Sequence, residues 1–361
     1  MNNIKSLIDY MDKSCNNTDT KSSKHINKKK LNFIETIKNV GGRDIEYISN
    51  GSYGIIFKFI ISDENKNNKT YAIKIVPYLK SSKYGDINNE DRPENAEILV
   101  MKLLSKFVLE NRTPHIIIPF ATFNCDIDLF VSRDFCEEYC ANDKNYLKFI
   151  KQYENNHYHD IASVLIFEWI NKGDLGSFLQ RKYKKLKLHN WKTLFFQILS
   201  VLATIHEDYP AFKHNDFKVN NILIMKYKTE EEYIMYTIYK TSYKVVNINY
   251  FIKMCDFDFA CIENIVDNIK VEQKWAAKYN VNSTKNKYYD VYYFFKTLTT
   301  IFLPNFIANN YIDVYTKAFV MRMIPAIYNS QNKECRLLST DEYTTPRKIL
   351  ETDEYFAEYR I

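Results

Sequence analysis

The sequence KHNDFKVNNILI, residues 213–224, places a polar loop directly before a short apolar strand. Asp216 and Asn221 stand on that loop with Lys218 between them. A carboxylate can accept the proton of an attacking hydroxyl, while an amide oxygen from the same loop can bind a metal ion. Lys218 can neutralise charge on a transferring phosphoryl group. The stretch therefore predicts a site for phosphoryl transfer.

A second acidic position follows in MCDFDFA, residues 254–260. Asp256 comes directly after an apolar segment, and Asn221 comes directly before one. Mg²⁺ takes few ligands from a protein and shares the phosphate oxygens of a bound nucleotide. Asn221 and Asp256 are therefore candidate ligands of Mg²⁺ in a nucleotide site.

Glycine is scarce, with 7 residues in 361, so its positions are informative. Gly51 and Gly54 stand in ISNGSYGIIFK, residues 48–58, between an entering and a leaving strand. Glycine there lets backbone N–H groups approach phosphates, although a tight hairpin turn would have the same pattern.

Lys74 ends the strand-like stretch YAIK, and such a lysine usually extends its ammonium to solvent. A lysine that binds phosphates needs an acidic partner instead. Glu97 begins the helical run EILVMKLL, and Glu94 lies one turn earlier as an alternative partner.

The composition is that of a globular protein, with 46% hydrophobic and 26% charged residues, which excludes wholesale disorder. A net charge of +6 permits an anionic partner without requiring one, so we predict no specific nucleic-acid partner. Seven scattered cysteines do not suggest a disulfide framework. No run approaches the ~20 apolar residues of a membrane span, so an intracellular location is expected.

The pattern along the chain predicts three parts. Residues 1–44 comprise an amphipathic helix at Ile4–Met11 and a flexible polar arm over 12–30. Docking of that helix on its own domain is the favoured interpretation, and peripheral membrane contact is the alternative. A strand-rich part spans 45–170, and a helix-rich part spans 171–361. The predicted elements are strands within 45–62, 70–78, 164–169 and 222–259 and a helix from Glu94 to Leu109.

In this order and combination, the motifs resemble the eukaryotic-type protein kinase family over roughly residues 46–330. The resemblance implies an α+β, two-lobed fold with a small β-rich N-lobe and a larger helical C-lobe. It implies a catalytic role for Asp216, Lys218, Lys74 and Glu97. The implied ligands of Mg²⁺, or of Mn²⁺ as an alternative, are Asn221 and Asp256. The implied ATP-binding positions are Ser49, Gly51, Ser52, Tyr53, Gly54, Ile56, Ala72, Lys74, Glu168 and Ile170.

Other sequence features define the resemblance more closely. Tyr289-Asp290-Val291 resembles the buried aspartate that anchors the catalytic loop in this family. Asn215 stands where most protein kinases have arginine, and Asp258 stands where their Asp-Phe-Gly motif has glycine. The combination of DFDFA with YYDVYYFF is similar to the poxvirus-type serine/threonine kinase that phosphorylates virion proteins during assembly. This implies a viral protein that acts on Ser and Thr of protein substrates in the host cytoplasm and virion.

Two further classes of function stay open. A small-molecule kinase of the choline or aminoglycoside type would fit Asn215 and Asp258, whereas Lys218 favours a protein kinase. A catalytically dead kinase-like scaffold is the third reading, and it would not need the full set of motif residues. The sequence does not indicate the oligomeric state.

Residues 110–160 and 225–252 are longer than a kinase-like fold needs and are interpreted as insertions. The first contains a Cys-x3-Cys pair and a His-x-His pair that could together bind zinc. Two cysteines one helical turn apart and two ordinary surface histidines are the alternative interpretation. The residues concerned are Cys136, Cys140, His157 and His159.

Overall fold

The computed structural model describes residues 28–39, 42–51, 54–62, 68–140, 143–328 and 334–361. The chain forms two compact units. Counting only the residues in those ranges, the first unit falls within Met1–Leu99 and Ile118–Trp169, and the second falls within Val100–Ile117 and Ile170–Ile361. The helix predicted at Ile4–Met11 lies outside the described residues.

The first unit contains a five-stranded antiparallel sheet with the strand order β1-β2-β3-β5-β4. Alternating apolar residues of β2, namely Ile55, Phe57 and Phe59, are buried on one face, as the period of two along a strand requires. The strands are β1 (Gly42–Gly51), β2 (Gly54–Ser62), β3 (Asn68–Leu79), β4 (Pro119–Asp126) and β5 (Tyr158–Glu168).

Residues 28–39 are part of the first unit, so the prediction of a flexible arm through residue 30 is wrong at its end. The backbone of Asn124 in β4 accepts a hydrogen bond from Leu31 and donates one to Lys29. Helix α1 (Phe33–Asn39) follows and buries Phe33 and Ile37 in the core. Phe33 and Ile37 are four residues apart, a spacing from which this helix could have been predicted.

Helix α2 (Pro93–Leu109) begins one residue before the predicted start at Glu94 and ends at the predicted Leu109. The insertion then forms α3 (Asp128–Val131), α4 (Arg133–Phe135), a π-helical turn (Cys136–Cys140) and α5 (Lys144–Glu154). These short helices pack on the sheet through edge-to-face aromatic contacts, such as Phe57 with Phe135 at 5.7 Å between ring centroids. The insertion is therefore part of the hydrophobic core of the first unit.

The second unit is mainly helical and is built around one long buried helix. Its helices are α6 (Leu175–Lys182), α7 (Leu188–Asp208), α8 (Lys274–Ala277), α9 (Tyr289–Thr297), α10 (Val314–Met323) and α11 (Pro346–Thr352). Its strands are β6 (Phe212–Lys213), β7 (Ile222–Lys226), β8 (Tyr233–Ile238), β9 (Thr241–Val246), β10 (Tyr250–Met254) and β11 (Cys261–Ile262). The antiparallel pairs are β7 with β10, β6 with β11, and β8 with β9.

Helix α7 is buried along most of its length, and aromatic residues near position 356 pack against it. Phe196 of α7 contacts Phe356 and Tyr359, with ring centroids 6.0 and 5.6 Å away. The predicted α+β fold with a β-rich part and a larger helical part is confirmed. None of the helices in the described ranges is long and apolar enough to cross a membrane.

Candidate active site

In the first unit, Lys74 on β3 and Glu97 on α2 form a buried ion pair. The Lys74 Nζ donates to Glu97 Oε1 at 2.7 Å, and the two side chains are 9% and 5% exposed. The alternative partner, Glu94, instead accepts from the buried Arg92 at 3.2 Å. Removing one member of a buried ion pair leaves an uncompensated charge, so each residue depends on the other.

The glycine positions sit where β1 turns into β2. Gly54 is buried on the sheet with φ of +153°, and a Cβ there would lie 2.9 Å from the Ile75 oxygen and 3.3 Å from Lys74 Cγ. Glycine is therefore required at this position both by the backbone and by the neighbouring strand. Gly51 pairs with Gly54 across the turn. Ser52 and Tyr53 lie outside the described residues.

The remaining predicted nucleotide positions line β1, β2, β3 and β5. Ser49 on β1 pairs with Ile56, which pairs with Lys74, and the buried Ala72 pairs with Phe167 of β5. These register pairs bring four of the predicted residues onto adjacent strands.

Glu168 ends β5 and is tied to the start of β4. Its backbone N–H donates to the Ile118 oxygen at 3.2 Å, and its carboxylate accepts from the Ile118 N–H at 3.0 Å. Ile170, two residues on, is buried in the second unit. The Glu168 N–H is therefore bonded to the residue that precedes β4.

In the second unit, the Asp216 loop (residues 213–221) brings two predicted side chains, Lys218 and Asn221, to the carboxylate of a third, Asp216. Lys218 Nζ donates to Asp216 Oδ2 at 2.8 Å, and Asn221 Nδ2 donates to the same oxygen at 2.9 Å. Asn221 Nδ2 also donates to the Asp216 backbone oxygen at 2.8 Å. Because its nitrogen serves Asp216, the amide oxygen of Asn221 is the atom suited to bind a cation.

Asp290 on α9 anchors the Asp216 loop through hydrogen bonds to its backbone. Its carboxylate accepts the backbone N–H groups of His214 at 2.8 Å and Asn215 at 3.0 Å. Burial raises the pKa of Asp290, against the opposing influence of these donors and of neighbouring basic groups. His214 Nε2–H donates to the Cys255 oxygen at 3.0 Å and so links the loop to the residue before Asp256.

Asp256 is brought beside Asn221 by the pairing of β7 with β10. Met254 pairs with Ile222, and the Cys255 N–H donates to the Asn221 oxygen at 3.1 Å. Asp256 adopts φ of 63°, a conformation that non-glycine residues rarely take. A carboxylate and an amide oxygen are hard donors suited to Mg²⁺, so the two residues fit the predicted ligand pair.

Asn215 has a contact that the sequence did not reveal. With φ of 61°, it directs its amide into the chain between Asp256 and Asp290. Its Nδ2 donates to the backbone oxygens of Phe259 at 3.2 Å and Asn282 at 3.1 Å. Lys213 adds a bond from Nζ to Asn282 Oδ1 at 2.9 Å, and burial lowers the pKa of Lys213 to about 8. The contact from residue 215 to this segment is therefore made by a neutral amide.

Two further residues at Asp216 were missed. Arg336 and Tyr293 both donate to Asp216 Oδ1, from 2.7 and 3.3 Å. The only signal was the aromatic run around Asp290, and nothing in the sequence indicated Arg336.

The cysteines of the possible zinc site are placed in an apolar setting. Cys136 and Cys140 are buried free thiols in the core of the first unit, and burial raises the pKa of both. Among the described residues, no group of three or more His, Cys, Asp or Glu side chains is placed to hold a metal ion. Thiols must lose their protons to bind zinc, and this environment opposes that.

The fold and the arrangement around Lys74 and Asp216 define a protein-kinase-like chain. A model of the poxvirus serine/threonine protein kinase family matches residues 140–322. The chain is 39% identical to "Putative serine/threonine-protein kinase R400" of Acanthamoeba polyphaga mimivirus, over 99% of this chain and 77% of the relative. It is 26% identical to "Putative serine/threonine-protein kinase R301" of the same virus, over 72% and 70% of the two chains.

These matches establish the family. The chain belongs to the poxvirus serine/threonine protein kinase family.

Proposed function

We propose that this protein is an ATP-dependent serine/threonine protein kinase of a large DNA virus, and that it acts on proteins during virion assembly. The observation that carries the proposal is the convergence of Lys218 and Asn221 on the Asp216 carboxylate. The family membership and the mimiviral relatives support the same reading. The substrate hydroxyl would attack the γ-phosphoryl group of ATP in line with the leaving diphosphate.

Each motif residue has a specific task in this proposal. Asp216 accepts a hydrogen bond from the substrate hydroxyl, orients it and takes its proton as the new bond forms. Lys218 is 34% exposed at its side chain, so it can leave Oδ2 to offset charge on the γ-phosphoryl group. Lys74, fixed by Glu97, orients the α- and β-phosphates.

Asn221 and Asp256 would hold Mg²⁺, with Mn²⁺ as an alternative. The ion would neutralise phosphate charge when bound. Ser49, Gly51, Ser52, Tyr53, Gly54, Ile56 and Ala72 would enclose the nucleotide, and the backbone of Glu168 and Ile170 would bind its adenine.

The test compares acceptors side by side. Purified protein is incubated with Mg²⁺ and γ-³²P-labelled ATP, and with casein, myelin basic protein or choline. We expect label on protein, mainly as phosphoserine, and a loss of about 10²–10⁴-fold in kcat for Asp216→Asn. The matched control, Asp134→Asn, changes an exposed carboxylate and should keep the wild-type rate.

Label on choline alone would instead establish a small-molecule kinase. Nucleotide binding without transfer to any acceptor would favour a scaffold. For the role in assembly, mass spectrometry of purified virions should detect the chain, and its absence from both virions and assembly sites would refute that part.

A further inference from the structure

Arg336 binds two adjacent residues of the Asp216 loop with one side chain. Its NH2 group donates to Asp216 Oδ1 at 2.7 Å, and its NH1 group donates to the backbone oxygen of Asn215. The Arg336 side chain is 12% exposed and the Asp216 side chain 4%. A planar guanidinium that makes two bonds fixes direction as well as distance, which a lysine does not.

Tyr293 on α9 completes this contact. The guanidinium carbon of Arg336 lies 3.9 Å from the centre of the Tyr293 ring, and the Tyr293 hydroxyl donates to Asp216 Oδ1 at 3.3 Å. Burial raises the pKa of Tyr293, so its hydroxyl keeps the proton that it donates. The two donors hold Oδ1, while Lys218 and Asn221 hold Oδ2.

The backbone around Arg336 is firmly anchored within the second unit. Its neighbours Cys335 and Leu337 are 1% and 0% exposed. The amide of Asn280 donates to the backbone oxygens of Leu337 at 3.1 Å and Ser339 at 3.0 Å. Because both neighbours are buried and the backbone just after Arg336 is hydrogen-bonded, Arg336 is held by the folded core of the second unit.

We propose that Arg336 is a positioning residue for Asp216, which it holds in the orientation needed to receive the acceptor hydroxyl. This proposal rests on the proposed kinase function. Arg336 also brings a guanidinium to a loop whose own residue 215 is a neutral asparagine. The part of the site that would receive the acceptor hydroxyl thus includes Arg336, which lies outside the region that the family model matches (residues 140–322).

The test uses Arg336→Gln and Arg336→Lys, with Arg347→Gln as the control. Arg347 is a 47% exposed arginine on α11 that pairs with Glu351. We expect Arg336→Gln to lower kcat by about tenfold to a hundredfold while the KM for ATP stays within about twofold, because the nucleotide contacts are untouched. Arg336→Lys should recover part of the loss, and Arg347→Gln should match wild type.

An unchanged kcat in Arg336→Gln would overturn the proposal, and so would a higher one, which would mean that the contact is inhibitory. If Arg336→Gln does not fold, Arg336→Lys provides the test alone, because it keeps the charge but loses the planar group that bonds Asp216 and the Asn215 oxygen together. We expect Arg336→Lys to reduce kcat about two- to fivefold, and a wild-type rate would count against the proposal.

Failure of the proposed function is recognised separately. A wild-type protein that transfers no phosphoryl group to any acceptor refutes the kinase assignment. Hydrogen exchange measured by mass spectrometry then tests the contact without activity. Faster exchange of the 213–221 amides in Arg336→Gln than in Arg347→Gln supports positioning, and equal exchange overturns it.

Discussion

Replacing Asn215 should separate its hydrogen bonds from its backbone conformation. The Asn215 amide bonds the oxygens of Phe259 and Asn282, and its φ is 61°. Asn215→Gly removes the amide but tolerates the positive φ, whereas Asn215→Ala removes the amide and opposes the φ. The pair therefore isolates two contributions at one position.

The expected magnitudes follow from these contacts. Two hydrogen bonds at about 1 kcal/mol each give roughly 2 kcal/mol. The Asn215 Oδ1 atom is buried with no hydrogen-bond partner among the described residues, so removing it recovers part of that energy. We expect the free energy of unfolding to fall by about 1–2 kcal/mol in Asn215→Gly and by about 1 kcal/mol more in Asn215→Ala.

Urea unfolding followed by tryptophan fluorescence measures both values. The control, Asn310→Ala, changes an exposed asparagine and should shift stability by less than about 0.5 kcal/mol. The reasoning is refuted if Asn215→Ala is no less stable than Asn215→Gly. It also fails if both variants match wild type.

Three further predictions concern the motif residues and the segment after Asp256. Lys74→Met should lower kcat at least about a hundredfold, because misplaced phosphates lose their reactive geometry; a wild-type kcat in a labelled-ATP assay would assign the role to another lysine. Activity should not require phosphorylation at Ser283 or Thr284, since Asn215 holds the segment without charge; protein co-produced with a phosphatase and checked by mass should keep its kcat, and a hundredfold drop restored on phosphorylation would contradict this. Burial lowers the pKa of Lys213 to about 8, so between about pH 8 and 10.4 the unfolded chain binds a proton that the folded chain has released. The contribution of Lys213 to the free energy of unfolding should therefore rise with pH across that range. The rise should be smaller in Lys213→Met, and identical slopes of unfolding free energy against pH in the two proteins would disprove the prediction.

The motif residues could be located from sequence because their neighbours in the chain also determine their contacts. Asp216, Lys218 and Asn221 share one short loop, so their convergence follows from its length. Spacing alone could not decide whether Glu97 or Glu94 is the partner of Lys74. The structure separates them, because Arg92 neutralises Glu94 locally.

The contacts that could not be predicted join residues far apart in the chain. Arg336 and Asp216 are 120 residues apart, and no periodicity links two such positions. The Asn215 contact depends on where the segment at Phe259 and Asn282 passes, which is decided by tertiary packing. Helix α1 was not predicted for another reason. It is only seven residues long and follows a polar stretch, so its apolar pattern is short.

Phe356 and Tyr359 pack on α7 but are synthesised long after it, which has a consequence for folding during translation. Thr193 on α7 bonds the Tyr359 hydroxyl at 2.9 Å, across 166 residues of chain. At about 5–20 residues per second, α7 leaves the ribosome roughly 10–30 s before its last partner is made. During that interval the apolar face of α7 that contacts Phe356 and Tyr359 lacks those two side chains. We therefore expect nascent or truncated chains ending near residue 322 to require chaperones, although they carry every motif residue.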